Sequence, residues 1–367
     1  MASLSVDDYR HFQKLLRWSR GLEALGLATA WVAPNPVSVL ALSTASVTRW
    51  AVIAHHTLHG GLDKVPGVPP EAQSEGFAKG SRRLIDWLDW MHPSHWAYEH
   101  NVLHHHRTGE RADPDLVEEN VAALGDKARG VRALALAFYM LTWKVSYYAP
   151  NTFQIAARAA ARRADRGAKV SDPAAHDARG EATFLSVFDP RSAEGRAFWR
   201  ACLLPNLGLR YGLIPLAMGL VTGPWGAFSA LSNTAMAELV ANLHSFCVIA
   251  PNHAGGDLYR FATPVKGRKD FYLRQVLSSV NFRTGGDLND FLHGFLNYQI
   301  EHHLFSDLPP SAYQRIAPRV KAICEKHGVP YVQESVFARV KRLAQIWMGD
   351  AKMLRPDDAA ETLHTGQ

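Results

Sequence analysis

Cysteine is scarce: Cys202, Cys247 and Cys324 are the only three in 367 residues. They form no C-x-x-C pair, which leaves no paired thiolates for a metal or redox site. Their odd number fits reduced core thiols in a reducing compartment. Charge is missing from Ala24 to Thr48 and from Tyr211 to Ala237, and only Glu238 separates the latter from a further apolar run, Leu239 to Ala250. A bilayer core needs about 20 apolar residues per helix, so both regions can supply spans. The opening MASLSVDDYRHFQK lacks the cationic-then-apolar design of a cleaved signal, so the spans themselves are expected to target the protein.

A further apolar segment, Ala133 to Trp143, resumes at Val145 to Ala149 after Lys144, a lysine expected to snorkel from near a helix end. The expectation is an all-α integral membrane protein with about four transmembrane helices, interfacial helices and a cytosolic helical cap. Pro34-Asn35-Pro36 and Gly223-Pro224 are its expected turns, and Ser5 to Gly21 and Arg82 to Met91 its interfacial helices. Asn151 to Phe198 reads as a surface loop with some helix, and Ser311 to Gly349 as two cytosolic helices. No repeat or second module is visible, so residues 1–355 read as a single domain and 356–367 as a disordered tail.

The net charge is +6, and Arg158, Arg162, Arg163, Arg166 and Lys169 follow the third apolar segment. Basic loops stay in the cytoplasm, which puts the polar part there, at an inner membrane if the Ala/Arg-rich chain is bacterial. Nucleic acid is not an expected partner, because the aromatics sit in apolar spans and not among the arginines.

What is abundant is histidine, with eighteen residues. His55 and His59 lie at i and i+4, as do His100 and His104, so each pair shares a helical face and can pinch one metal, with His105 as a third donor. His56 and His106 are the spare members, set toward neighbours or solvent. His302 and His303 diverge by about 100° on a helix and suit two neighbouring metals. His244 and His253, late in the last apolar run, are further candidates. So many imidazoles exceed what one tetrahedral zinc can use, and nitrogen-rich ligation suits a pair of irons that meets dioxygen.

The stretch Asn297 to Phe305 (NYQIEHHLF), with Leu308-Pro309 and Lys321 to Tyr331 (KAICEKHGVPY), closely resembles the third histidine box and tail of membrane fatty acid desaturases. It is most similar to the front-end group, whose box begins with Gln, here Gln299. His100 to His105 (HNVLHH) with Asp113-Pro114-Asp115 resembles the second box, and His55 to His59 the first, although His56 stands where Asp is usual. His244 and Asn252-His253 sit where that group also carries histidines.

The resemblance runs from about Arg49 to Tyr331. It implies a four-span fold with a cytosolic cap, a non-haem di-iron centre and dioxygen-dependent removal of two hydrogens from an acyl chain, carried as a lipid or a thioester. By carry-over, His55, His59, His100, His104, His105, His302 and His303 would be iron ligands and His244 and His253 would complete the set. Gln299 would be a weak ligand or a neighbour of one. Asp113, Asp115 and above all Glu301 are expected to orient ligating imidazoles. The His-Pro-Gly-Gly motif of a fused cytochrome is absent, so electrons are expected from a separate ferredoxin or b-type cytochrome with its reductase, docking on the basic face. Trp50, Trp87, Trp90 and Phe246 are candidate walls of an acyl tunnel. The residues alone leave open a hydroxylase or ketolase on the same scaffold, acting on an acyl, alkane or carotenoid substrate, a zinc-dependent membrane lipid hydrolase, and a metal-storing membrane protein.

Overall fold

Ser5 and Asp8 cap each other's backbone N–H groups and start the first helix, α1 (Val6–Ala30), which runs unbroken through Gly21. Asn35 caps the second, α2 (Pro36–Leu58), with Pro36 in its first turn, so the expected Pro-Asn-Pro hinge is a tight reversal. The computed structural model describes residues 3–166 and 184–356; the expected tail beyond 356 and Lys169 lie outside the described residues. After α2 comes α3, a continuous run of Pro93–Ala97, Tyr98–His104 and His105–Arg107. Next is α4, Arg129–Trp143 extended through Lys144–Tyr148 and Ala149–Arg166. Then come α5 (Ala193–Thr222), α6 (Pro224–His253), α7 (Arg268–Leu277), α8 (Gln299–Leu304), α9 (Pro310–Lys326) and α10 (Val336–Met348). Among the described residues the paired strands are Asn281–Phe282 and Gln333–Glu334, two parallel residues each.

Among the described residues three helices, α2, α5 and α6, are long and apolar enough to cross a membrane. The first apolar stretch divides between α2 and the last turns of α1, whose earlier turns carry Arg10, Lys14, Arg17, Arg20 and Glu23. Ala133 to Ala149 lies in α4, interrupted by Lys144. Leu213, Leu216, Leu220, Val221, Trp225 and Phe228 stand more than half exposed on α5 and α6, a contiguous apolar face suited to lipid tails rather than water. At the far turn, Gly223 adopts φ 83° ahead of Pro224. Asn233 of α6 donates to the carbonyls of Ala30 and Ala33, both at 2.9 Å, and accepts from the Asn35 N–H at 2.8 Å. Helix-end groups that lipid could not satisfy are thereby paired.

Lys144 does not snorkel. It is 1% exposed, and its Nζ lies 2.8 Å from Asp89 and 3.4 Å from Glu238. The surrounding helices leave it no path to water, so it forms a buried ion pair joining α4 to α6 and to the segment before α3. Arg49 of α2 pairs with Glu23 of α1 at 3.0 Å.

Removing one partner of a buried pair strands the other charge, so Lys144→Ala should destabilise the protein by about 3–5 kcal/mol. Thermal unfolding in detergent should show a large fall in Tm for Lys144→Ala and almost none for Lys64→Ala, which breaks an exposed pair with Asp307. Equal effects would contradict the assignment.

Candidate metal centre

The helix α3 is not a regular α-helix where it carries its histidines. Tyr98–His104 is wound as a π-helix, and the His105 N–H bonds the His100 carbonyl five residues back. The wider turn therefore brings the His105 ring edge-on to His100 at 4.9 Å, while the His104 ring stays stacked on His100 at 5.1 Å. His55 and His59 keep the α spacing, with the His59 N–H on the His55 carbonyl at 3.1 Å. Two groups result. His55, His59, His100, His105 and His302 hold their ligand nitrogens within 4.8 Å of one another, and so do His104, His253 and His303. The larger group places His100 with His105, while the expected pair His100 and His104 also lies within 4.8 Å together with Asp115. His105 and His303 stack at 4.2 Å and 6° where the groups meet.

Chemistry distinguishes these rings from ordinary core histidines. The His55 Nε2 lies 2.9 Å from the His302 Nε2 and 3.1 Å from the His100 Nε2, too many converging nitrogens for the protons that neutral rings can share. The Nε2 atoms of His59, His105 and His303 are buried with no hydrogen-bond partner among the described residues. Meanwhile the outward nitrogens are held: the Nδ1 of His253 by the Ser278 carbonyl at 2.9 Å, of His303 by Gln275 Oε1 at 2.8 Å, of His104 by Asp113 at 2.9 Å. A proton fixed on Nδ1 leaves a lone pair on Nε2, the tautomer a metal requires. Burial, reinforced by neighbouring imidazoles, holds His59, His100, His105, His302 and His303 well below the usual histidine pKa, so they stay neutral. Burial opposes a charge on His104 too, but the Asp113 carboxylate outweighs it and raises that pKa. The donor set fits metal ions.

Other expected residues part company. His244 joins neither group; its Nε2 bonds the Leu292 carbonyl at 2.6 Å. It precedes His253 by nine residues, about half a turn off on a helix, so the two face opposite ways. Glu301 orients no imidazole: it accepts from Asn281 at 2.8 Å and Tyr331 at 2.9 Å, tying α8 to the strand and tail. The carboxylate that does hold a ring is Asp113, while Asp115 accepts from the Tyr148 hydroxyl at 2.8 Å. Gln299 places its amide nitrogen 2.8 Å from the His253 Nε2. His56 is buried with its Nδ1 on the Val52 carbonyl at 2.8 Å, whereas His106 is exposed as expected.

Sequence reasoning missed Gln275, Tyr313, whose hydroxyl lies 3.2 Å from the His302 Nδ1, and Trp96, stacked on His100 at 4.5 Å. It also missed Glu99. Both of its carboxylate oxygens are buried without a partner, and burial, with Asp115 and Asp113 nearby, pushes its pKa well above the carboxylate range.

A cavity of about 310 Å³ opens directly on this centre. His55, His100, His104, His253 and Gln299 form one wall, and Trp143, Tyr148, Phe246, Leu343 and Trp347 form much of the rest. Of the expected tunnel residues only Phe246 lines it. Trp50 packs behind Trp143 at 5.5 Å, Trp87 behind Trp96 at 5.7 Å, and Trp90 bonds Glu238 at 2.9 Å.

The fatty acid desaturase family model matches residues 29–335. The NADPH-dependent stearoyl-CoA 9-desaturase of Mycobacterium tuberculosis is 27% identical over 97% of this chain and 78% of its own. An acyl-lipid (9-3)-desaturase of Physcomitrium patens is 35% identical over 28% of this chain and 18% of its own. Fatty acid desaturase 3 of Bos taurus is 39% identical over 16% of this chain and 15% of its own. No solved structure matches significantly.

Metal analysis of the purified protein should show a loss of bound metal on His59→Ala and on His105→Ala but not on His244→Ala, and a change with His244 alone would invert the assignment. Asp113→Asn should weaken metal retention about 10–100-fold. In metal-stripped protein the lowered histidine pKa values tie stability to pH. The unfolded chain takes up protons near the ordinary value of 6.5 while the folded chain does not, so stability is full above that pH and falls below it. The loss is about 1.4 kcal/mol per pH unit for each such ring. A Tm series taken from neutral to mildly acidic pH should decline steadily; a flat one would mean the rings are not buried and neutral.

Proposed function

Because the chain belongs to the fatty acid desaturase family, we propose that it introduces a double bond into a fatty acyl chain at a histidine-held pair of irons, with dioxygen as co-substrate and electrons from a separate donor protein. The observation that carries the reading is the pair of abutting groups, five and three imidazoles, all buried but the half-buried His59, beside a cavity otherwise largely apolar. His55, His59, His100, His105 and His302 would hold one ion, and His104, His253 and His303 the other. Gln299 stands beside His253 where a further ligand could act. A single hydrolytic zinc uses three protein ligands and a water, far fewer than converge here.

When bound, the irons supply the oxidant that takes hydrogen from an unactivated methylene. The reaction breaks two C–H bonds, forms C=C, and turns dioxygen, two electrons and two protons into two waters. The chain's own residues do the rest. Phe246, Ile249, Leu343 and Trp347 bury the acyl chain and exclude water, fixing which carbons face the histidine wall. Asp113 and Gln275 keep His104 and His303 in the ligating tautomer. Asp115, whose pKa burial lifts to about 6, and the protonated Glu99 can furnish the protons that the reaction consumes.

The electrons would come from a ferredoxin or b-type cytochrome with its reductase. The mycobacterial relative is named for NADPH dependence, which supports the same ultimate source. The basic residues Arg158 and Arg162 favour a cytoplasmic position for the centre, at an inner membrane.

Expression in a host of known lipid composition, with gas chromatography and double-bond location, tests this directly. A new unsaturated acyl species should appear only in air and vanish in His302→Ala and in His104→Ala. A hydroxylated product instead, or persistence in both variants, would defeat the proposal.

A further inference from the structure

A second cavity of about 350 Å³ lies among α1, α2, α5, α6 and the short helix Arg83–Asp86, and it shares no lining residue with the histidine cavity. Three arginines and two glutamates face it: Arg20, Arg49, Arg210, Glu23 and Glu238. The carboxylates are already engaged. Glu23 pairs with Arg49 at 3.0 Å, and Glu238 accepts from Trp90 and Asn242 and lies 3.4 Å from Lys144. Arg49 is further spent on the Ile85 carbonyl at 2.7 Å. Arg210 donates to the Leu88 carbonyl alone, at 3.2 Å, and Arg20 has no hydrogen bond or ion pair among the described residues. Two guanidiniums thus border one cavity with most of their donors unused.

The remaining wall is apolar, with Leu27, Leu42 and Ile214 deeper in the bundle, while Leu84 and Ile85 project beside the cavity at 55% and 65% exposure. A basic rim over an apolar floor, between helices suited to lipid, matches an anionic amphiphile rather than a soluble anion. A guanidinium also presents its donors in the fork that phosphate oxygens accept.

We propose that this cavity is a binding site for an anionic glycerophospholipid, with its phosphate between Arg20 and Arg210 and its acyl chains along α1, α2 and α5. Basic pockets between membrane helices take such headgroups for the same reason.

The full-length protein, equilibrated in detergent with equal phosphatidylglycerol and phosphatidylcholine, would be examined by native mass spectrometry. Phosphatidylglycerol adducts should predominate and should survive millimolar inorganic phosphate. Arg20→Ala with Arg210→Ala should cut that preference about 25-fold, at about fivefold per arginine, while the double lysine variant retains most of it. If the double alanine variant does not fold, Arg20→Gln, an exposed change, should still cost about fivefold. Equal retention of the two lipids, an unaltered preference in the folded variants, or displacement by inorganic phosphate would overturn the proposal.

Discussion

The structure depends on lone pairs that nothing in the polypeptide satisfies. Imidazole nitrogens from α2, α3, the end of α6 and α8 point at one another across distances at which neutral rings have too few protons to share. Inside a protein an unmet polar atom is costly, and a metal ion shared among these rings would satisfy them together. Much of the surrounding architecture serves that convergence. The membrane helices α2 and α6 bring His55, His59 and His253 to the same end of the bundle. Arg339, wholly buried and 2.9 Å from the Ala254 carbonyl, anchors the loop after His253 through Asp257.

A departure from regular winding divides the ligands. One extra residue in the turn of α3 aligns His100 with His105 and releases His104 toward His253 and His303. An unbroken α-helix would have left His105 rotated away from His100. The same device precedes His55, where Thr48–Ala54 is also π-wound and the His55 N–H reaches back to the Trp50 carbonyl. π-turns weaken a helix locally and persist where surrounding packing repays the loss.

Much of this was legible in the chain. The uncharged runs mark the hairpins, Pro-Asn-Pro and Gly-Pro mark their turns, and the histidine spacing names seven of the eight rings that converge, with His253 picked out by its place at the end of an apolar run. The partition between two groups was hidden, because the i, i+4 pattern assumes a winding that α3 does not keep. His244 stood beside His253 as a candidate because both lie near the end of one apolar span; their nine-residue offset, about half a turn on a helix, was the signal against it. Glu301 looked better placed than Asp113 for a similar reason: adjacency to two ligands along a helix turns a side chain away from both. Lys144 read as an interruption, since its two carboxylate partners lie in other segments.

The wall opposite the histidines includes Leu343 and Trp347, both from α10. That helix follows every ring-bearing element along the chain, so during synthesis the imidazoles emerge before this side of their chamber. Until α10 docks, the chamber lacks Leu343 and Trp347, and its histidine wall stands more open to arriving ions than in the finished fold.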